Sequence, residues 1–244
     1  MTSAATSACL KISEASSYAY KPAEYLYAQT CIDIDELCAH VPVYQRKLRA
    51  GQYLYHAGQI FGALYLVHAG CVKTCLISED GREQVIGFRM RGELLGSESI
   101  GLKTYACDVV ALDESEIWEM PYPAVRQACA NIPELQAQLA SAVAAEIRTD
   151  QSWMLALGTL NAEQRVAAFL LDIAGRHATL GLDPSCFVLR MSRAEIGSFL
   201  TLKHETVTRA LTSLGEQGCI TVRWREVRVL NSQRLNDIVH AARD

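Results

Sequence analysis

Three side chains near the C-terminus have types and spacing suited to reading a patterned polar surface. Glu205, Thr208 and Arg209 stand at i, i+3 and i+4, so a helix would carry a carboxylate, a hydroxyl and a guanidinium side by side. On duplex DNA an Arg bonds both O6 and N7 of guanine, a Glu accepts from N4 of cytosine, and a Thr bonds or offers its methyl. An ordinary i,i+4 surface pair between Glu205 and Arg209 is the competing reading, and the neighbouring elements decide between them.

Val207, Ala210, Leu211 and Leu214 recur at three and four, committing the opposite face of the same helix to a core. Upstream, Ser192 and Glu195 form a capping-box signature ahead of Ala194, Ile196, Phe199 and Leu200, a short helix ending around residues 201–203. Downstream, Ile220, Val222 and Trp224, then Val227 and Val229, lie on either side of the polar Arg225 and Glu226, which predicts a small hairpin. Helix, turn, helix and wing together are a plan for binding duplex DNA.

The run RAEIGSFLTLKHETVTRAL resembles the DNA-reading unit of the Crp/Fnr regulators, and E-x-x-T-R over Glu205, Thr208 and Arg209 is similar to the E-x-x-S-R pattern of the Fnr branch. The similarity continues through ISEDGREQVIGF and NAEQRVAAFL and covers most of the chain after about residue 45. Residues 1–20 are small and polar without a period and read as a flexible arm, and the resemblance implies an α+β chain beyond it: a cyclic-nucleotide-binding-like β-roll of jelly-roll type (21–131), a dimerisation helix (132–160) and a winged helix-turn-helix (161–244). It also implies a homodimer on double-stranded DNA with TTGAT-like inverted half-sites. Glu205, Thr208 and Arg209 would then meet bases, with Lys203, His204 and Arg193 as further DNA contacts. Two positions depart from the pattern: Thr201 stands where the family usually has Gly, and Lys203 where it has a Ser or Thr cap. The lost cap weakens the reading helix by roughly 1 kcal/mol, and Lys203 is placed to reach a phosphate instead.

With 50% hydrophobic and 20% charged residues, the 244-residue chain has ordinary globular composition, which excludes disorder throughout. A net charge of −4 looks wrong for a DNA binder until it is divided. Residues 161–244 hold 11 Lys or Arg against 9 Asp or Glu, so the acidic excess belongs to the preceding part. No run of eighteen apolar residues and no signal-peptide pattern is present, so the expected location is cytoplasmic. Nine cysteines, odd in number and without a C-x-x-C pair, indicate neither a disulfide framework nor a zinc ribbon, and buried reduced thiols are the default for Cys71, Cys107 and Cys186. The six histidines lack metal-binding spacing, so no metal is expected. No motif selects a Cys–His pair for catalysis, and the chain reads as no enzyme.

Residues 21–42 are expected to supply one or two short helices, and residues 48–122 read as short strands between glycine turns. The segment G-E-L-L-G over 92–96 resembles the first half of the family's phosphate cassette. The second half is missing, because TYACDVV (104–110) supplies no Arg followed by Ser or Thr, and Asp108 adds negative charge. Cyclic AMP should therefore have no effect. The Fnr-type iron-sulfur cluster is also not expected, since Cys9, Cys31 and Cys38 are widely spaced and Trp118 stands at the fourth ligand position that the family implies. No cofactor is expected. The signal is then redox or oxygen-related conditions or an unidentified effector, with a thiol-based sensor using Cys31 and Cys38 or Cys71 and Cys75, or a cyclic-nucleotide-binding regulatory protein, as alternatives.

From Pro133 the periodicity is helical for about 25 residues. Ala140, Val143, Ile147, Asp150, Met154 and Leu157 fall on a/d positions of a two-helix seam, with Asp150 its one charged member. Gly158 and Asn161 mark a hinge. The D-G turn in ISEDGRE predicts an exposed hairpin tip, and the resemblance implies that Glu79, Asp80 and Arg82 there meet RNA polymerase.

Overall fold

The computed structural model describes residues 34–241, so the 1–20 arm, Cys9 and Cys31 lie outside the described residues. One of the helices expected in 21–42 is α1, Ile34–His40. Eight strands follow: β1 Tyr44–Leu48, β2 Tyr53–Tyr55, β3 Ala63–Ala69, β4 Cys71–Ile77, β5 Glu83–Met90, β6 Leu94–Leu95, β7 Asp108–Ala111 and β8 Ser115–Pro121. They form two antiparallel sheets of four, ordered β1-β8-β3-β6 and β2-β7-β4-β5. Tyr65, Val67, Val72, Val109 and Ile117 fill the space between them. Strand β3 is buried on both faces: Tyr65 and Val67 point into the roll, while Leu64 and Leu66 meet α1 and the helices that follow β8.

Those helices are α2, Tyr122–Asn131, and α3, Pro133–Thr159. The inner stripe of α3 is Leu135, Ala145, Trp153 and Ala156, all buried. Its outer side leaves Ile147, Leu155 and Met154 in solvent, the last 73% exposed. The expected hinge is shorter than the sequence implied. Gly158 belongs to the last turn of α3, and Asn161 already caps α4, Ala162–Thr179, by accepting from Gln164 N at 3.0 Å while Gln164 Oε1 accepts from Asn161 N at 2.9 Å. Each residue is satisfied by a regular helix end, which leaves Leu160 and Asn161 as the whole connection.

The C-terminal part continues with β9 Cys186–Val188, α5 Arg193–Leu200, α6 His204–Glu216, β10 Ile220–Arg223, β11 Glu226–Val229 and α7 Ser232–His240. The wing has three strands in the order β10-β11-β9, one more than the sequence pattern indicated. Phe169, Ile196, Leu200, Val207, Leu211, Leu214 and Leu235 form its core. That core continues into the β-roll through Phe88 and Val85 and onto α3 through Trp153.

Candidate nucleic-acid interface

Helix α5 starts where the capping box demands. Ser192 Oγ accepts from Glu195 N at 3.2 Å, and Glu195 Oε2 accepts from Ser192 N at 2.8 Å. The tight turn that follows depends on Gly197, a residue that sequence patterning had not singled out. A Cβ there would sit 2.6 Å from the Leu202 carbonyl oxygen, and Leu202 N bonds Gly197 O at 2.8 Å. Only a missing side chain lets the backbone approach so closely. Thr201 ends α5 at φ 55°, ψ 41°, a left-handed conformation unfavourable for a β-branched residue by roughly 1–2 kcal/mol. Arg165 of α4 offsets this: its Nη1 donates to Leu200 O at 3.0 Å and to Thr201 Oγ1 at 2.8 Å, and its Nε to Leu160 O at 3.0 Å.

Lys203 is the N-cap of α6 and supplies no side-chain bond to the first turn, as its type requires. Val207, Ala210, Leu211 and Leu214 are buried, so the helix is oriented as its periodicity predicts. Lys203, His204, Glu205, Thr208 and Arg209 are all exposed. Their contacts are local: His204 Nε2 lies 3.3 Å from Glu205 Oε1, Arg209 Nη2 donates to Thr206 Oγ1 at 3.3 Å, and Thr208 Oγ1 donates to His204 O at 3.0 Å. A hydroxyl bonded back to its own helix leaves the Thr208 methyl as that residue's outward group. Arg193 is half-buried, and its Nη2 donates to Trp224 O at 3.3 Å, which joins the start of α5 to the wing.

One sequence expectation fails at the wing. Trp224 does not alternate inward with Ile220 and Val222. The register pairs Arg223 with Glu226, so Trp224 and Arg225 are the turn itself and Trp224 is 96% exposed at φ 60°. Strand alternation stops where a two-residue turn begins, and the expected polar tip of Arg225 and Glu226 is displaced by one residue. Cys186 also departs from expectation: it is half-buried, with its Sγ donating to Glu226 Oε1 at 3.7 Å.

Of the expected seam residues, Ala140, Ile147, Asp150 and Met154 are exposed, and Val143 and Leu157 are half-buried. Glu79, Asp80 and Arg82 are exposed at the tip between β4 and β5, with Arg82 Nε 2.7 Å from Asp80 Oδ2.

A cavity of about 430 Å³ lies between β-roll, α3 and α5, walled by Arg89, Glu98, Cys107, Glu146, Asp150 and Trp153 among others. Gly92 and Gly96 both hold φ 86° at the cassette turn. A Cβ on Gly96 would stand 3.3 Å from Ala63 O, so backbone geometry explains its presence. Asp108 is buried and engaged locally, accepting from Ala57 N at 2.7 Å beside His56. The cation of the cavity, Arg89, is already paired with Glu146, which also accepts from Ser97 Oγ at 2.5 Å. Burial pushes the Glu146 carboxyl up, but Arg89 and Ser97 outweigh it and hold the group below the usual range. Burial raises the described thiols within the roll: Cys71 is pushed up to about 12, Cys75 up to about 11, and Cys107 higher still. Among the described residues no cluster of three His, Cys, Asp or Glu is placed to hold a metal, and no helix is long and apolar enough to cross a membrane.

A β-roll, a long helix and a winged helix-turn-helix with a polar exposed reading face define a DNA-binding transcription regulator. Residues 45–131 match the cyclic nucleotide-binding domain, and residues 164–238 match the Crp-like helix-turn-helix domain. The chain is 35% identical over 190 residues to the transcriptional activator protein anr of Pseudomonas aeruginosa, covering 78% of each. It is 32% identical over 200 residues to the fumarate and nitrate reduction regulatory protein of Escherichia coli K12, covering 82% of this chain and 80% of that one. The structure of FixK2 from Bradyrhizobium japonicum superposes with a TM-score of 0.75 at 28% identity, covering 82% of this chain and 99% of that chain. The chain belongs to the Crp/Fnr family. Its named homologues are transcription regulators rather than enzymes.

Proposed function

We propose that the chain acts as a homodimer on an inverted repeat with TTGAT-like half-sites, responding to redox or oxygen-related conditions or to another effector. The observation that carries this reading is the outer face of α6. Glu205, Thr208 and Arg209 are exposed together there, and none is consumed by the core or by a partner on another element. Arg209 supplies the bidentate guanine contact, Glu205 accepts from cytosine, and Thr208 presents its methyl to thymine. Lys203, His204 and Arg193 flank them, with phosphates as their natural partners. The exposed stripe of α3 through Ile147 and Met154 is the seam, because a monomer gains nothing from apolar side chains left in water. Glu79, Asp80 and Arg82 are the proposed contact to RNA polymerase, and the cytoplasm is the compartment such a partner requires. With Arg89 neutralised and the cassette incomplete, the cavity offers little to a cyclic phosphate. The raised thiols oppose a sensor built on Cys71, Cys75 or Cys107.

Selection of bound sites from random duplexes, followed by titration of the winner, tests this. Arg209→Ala should weaken binding by about 1–3 kcal/mol and relax selection at the guanine alone. Uniform weakening on every sequence would make Arg209 a phosphate contact, and absence of any selected repeat would remove the reading.

A further inference from the structure

The wing ends in an arrangement that the fold itself does not need. Trp224 occupies the first of the two turn positions between Arg223 and Glu226, at φ 60°, where Gly or Asn is the favoured residue. It is 96% exposed, so its indole gains nothing from burial while its backbone is strained. The other two tryptophans behave differently: Trp153 is buried, and Trp118 stacks on His68 with centroids 4.2 Å apart. Around the tip stand Arg193, Arg223 and Arg225, none with a carboxylate partner among the described residues. The tip is also anchored rather than loose, since Arg193 donates to Trp224 O and Arg225 Nη1 donates to Arg190 O at 3.2 Å.

We propose that Trp224 is a second DNA contact, packing its indole on the minor-groove wall beside each half-site while Arg223 and Arg225 meet the flanking phosphates. This rests on the DNA-binding reading above. The position argues for it. Arg193 opens α5, the helix that crosses the phosphate backbone when its neighbour enters the major groove, so the wing tip bonded to Arg193 lies along that track. The chemistry argues for it too: an apolar aromatic wedge ringed by guanidinium groups matches a groove lined by sugars and edged with phosphates. A protein partner for the same tip would be expected to balance three cations with carboxylates, and it stands as an outcome of the test.

The full chain is titrated against its selected repeat, carried either on a duplex with ten extra base pairs at each end or on one trimmed to the half-sites. Trp224→Gly should raise Tm, because the turn is relieved, yet weaken binding to the long duplex about tenfold. The loss should shrink on the trimmed duplex. Selection at the Arg209-dependent guanine should be unchanged, and so should the salt dependence, since an indole carries no charge, whereas Arg223→Ala should lower the slope of log K against log salt by about 1 per protomer. Trp224→Asn, which also tolerates the left-handed turn, guards against an effect peculiar to glycine. Equal affinity of Trp224→Gly and the parent on the long duplex overturns the proposal. So does unchanged DNA binding with reduced transcription in a purified system, which would assign the tip to a protein. If the parent protein fails to distinguish the repeat from random duplex, the DNA reading fails; if Arg209→Ala weakens binding and Trp224→Gly does not, only the wing contact fails.

Discussion

Lys203 begins the reading helix in a position where stability and binding ask for different side chains. As N-cap it leaves the first-turn amides without a side-chain acceptor, and as a cation it faces outward beside the base-reading set. Lys203→Ser should therefore stabilise the protein by about 1 kcal/mol in thermal unfolding and at the same time flatten the salt dependence of DNA binding by about 1 per protomer. A variant that gains stability with an unchanged salt slope would show that Lys203 meets no phosphate. The reading face was legible because its evidence is local: three polar residues and four apolar ones at helical offsets need no knowledge of the rest of the chain. Gly197 and Trp224 were not. The first matters only because the Leu202 carbonyl passes 2.6 Å from where its side chain would be, and the second because a turn interrupts an alternation that looks continuous on paper.

At the scale of elements, α3 was readable as a long helix, but its two faces were less so, since the apolar residues of the inner and outer stripes interleave. Asp150 lies on the outer stripe and also walls the cavity. Partial cover from the cavity wall raises its carboxyl above the usual range, Arg89 pulls it down and Glu146 pushes it up again. A carboxyl raised in the folded state is easier to protonate there, so its burden on the fold is relieved as pH falls through the raised value and is full at neutral pH. In the proposed seam two such groups meet, and a second desolvation adds to the first. Asp150→Ala should tighten the dimer and remove much of its pH dependence in analytical ultracentrifugation at several concentrations and two pH values. An unchanged or weaker dimer would place Asp150 at the rim beside Arg148.

Helix α4 carries a second titrating group, His177, which packs on Phe187 with ring centroids 5.4 Å apart. Burial and then Arg190 depress its pKa below 6.5. A base whose folded pKa is depressed stays neutral in the native state while the unfolded chain takes up the proton. The stability it contributes is therefore complete above the unfolded value and is lost as pH falls below about 6.5 towards the folded one. His177→Gln should flatten the stability curve between pH 7 and 5. A curve of unchanged slope would assign the acid sensitivity to other groups.

Over the whole molecule, the contacts least visible in the sequence are those that seat the reading domain on the β-roll. Ser198 Oγ accepts from Val85 N at 2.9 Å on edge strand β5, and Ser198 O accepts from Gln84. Lys73 Nζ stands 3.3 Å from Glu195, and Arg176 Nη1 donates to Phe88 O at 2.8 Å. Phe199 meets Trp153 and Phe88 at centroid distances of 4.9 and 5.4 Å. Such pairs are separated by up to more than a hundred positions, so no periodicity announces them, and only the resemblance to a known family suggested that the two units share a chain for a reason. Ser198→Ala removes the hydroxyl that accepts from the Val85 amide, and hydrogen exchange at that amide should accelerate about fivefold, matching roughly 1 kcal/mol. An unaltered rate would mean that the Phe199 cluster alone holds the domains together.

The connection between α3 and α4 has a consequence for what the regulator will accept as a site. Leu160 and Asn161 together reach at most about 7 Å, so a reading head stays at the end of α3 and cannot travel along the duplex. In the proposed dimer the paired α3 helices then act as a ruler. Each base pair inserted between half-sites turns the second one by about 35°, and five put it on the far side of the duplex. Helical phase is thereby tested before any base edge is read, and two perfect half-sites out of phase amount to one.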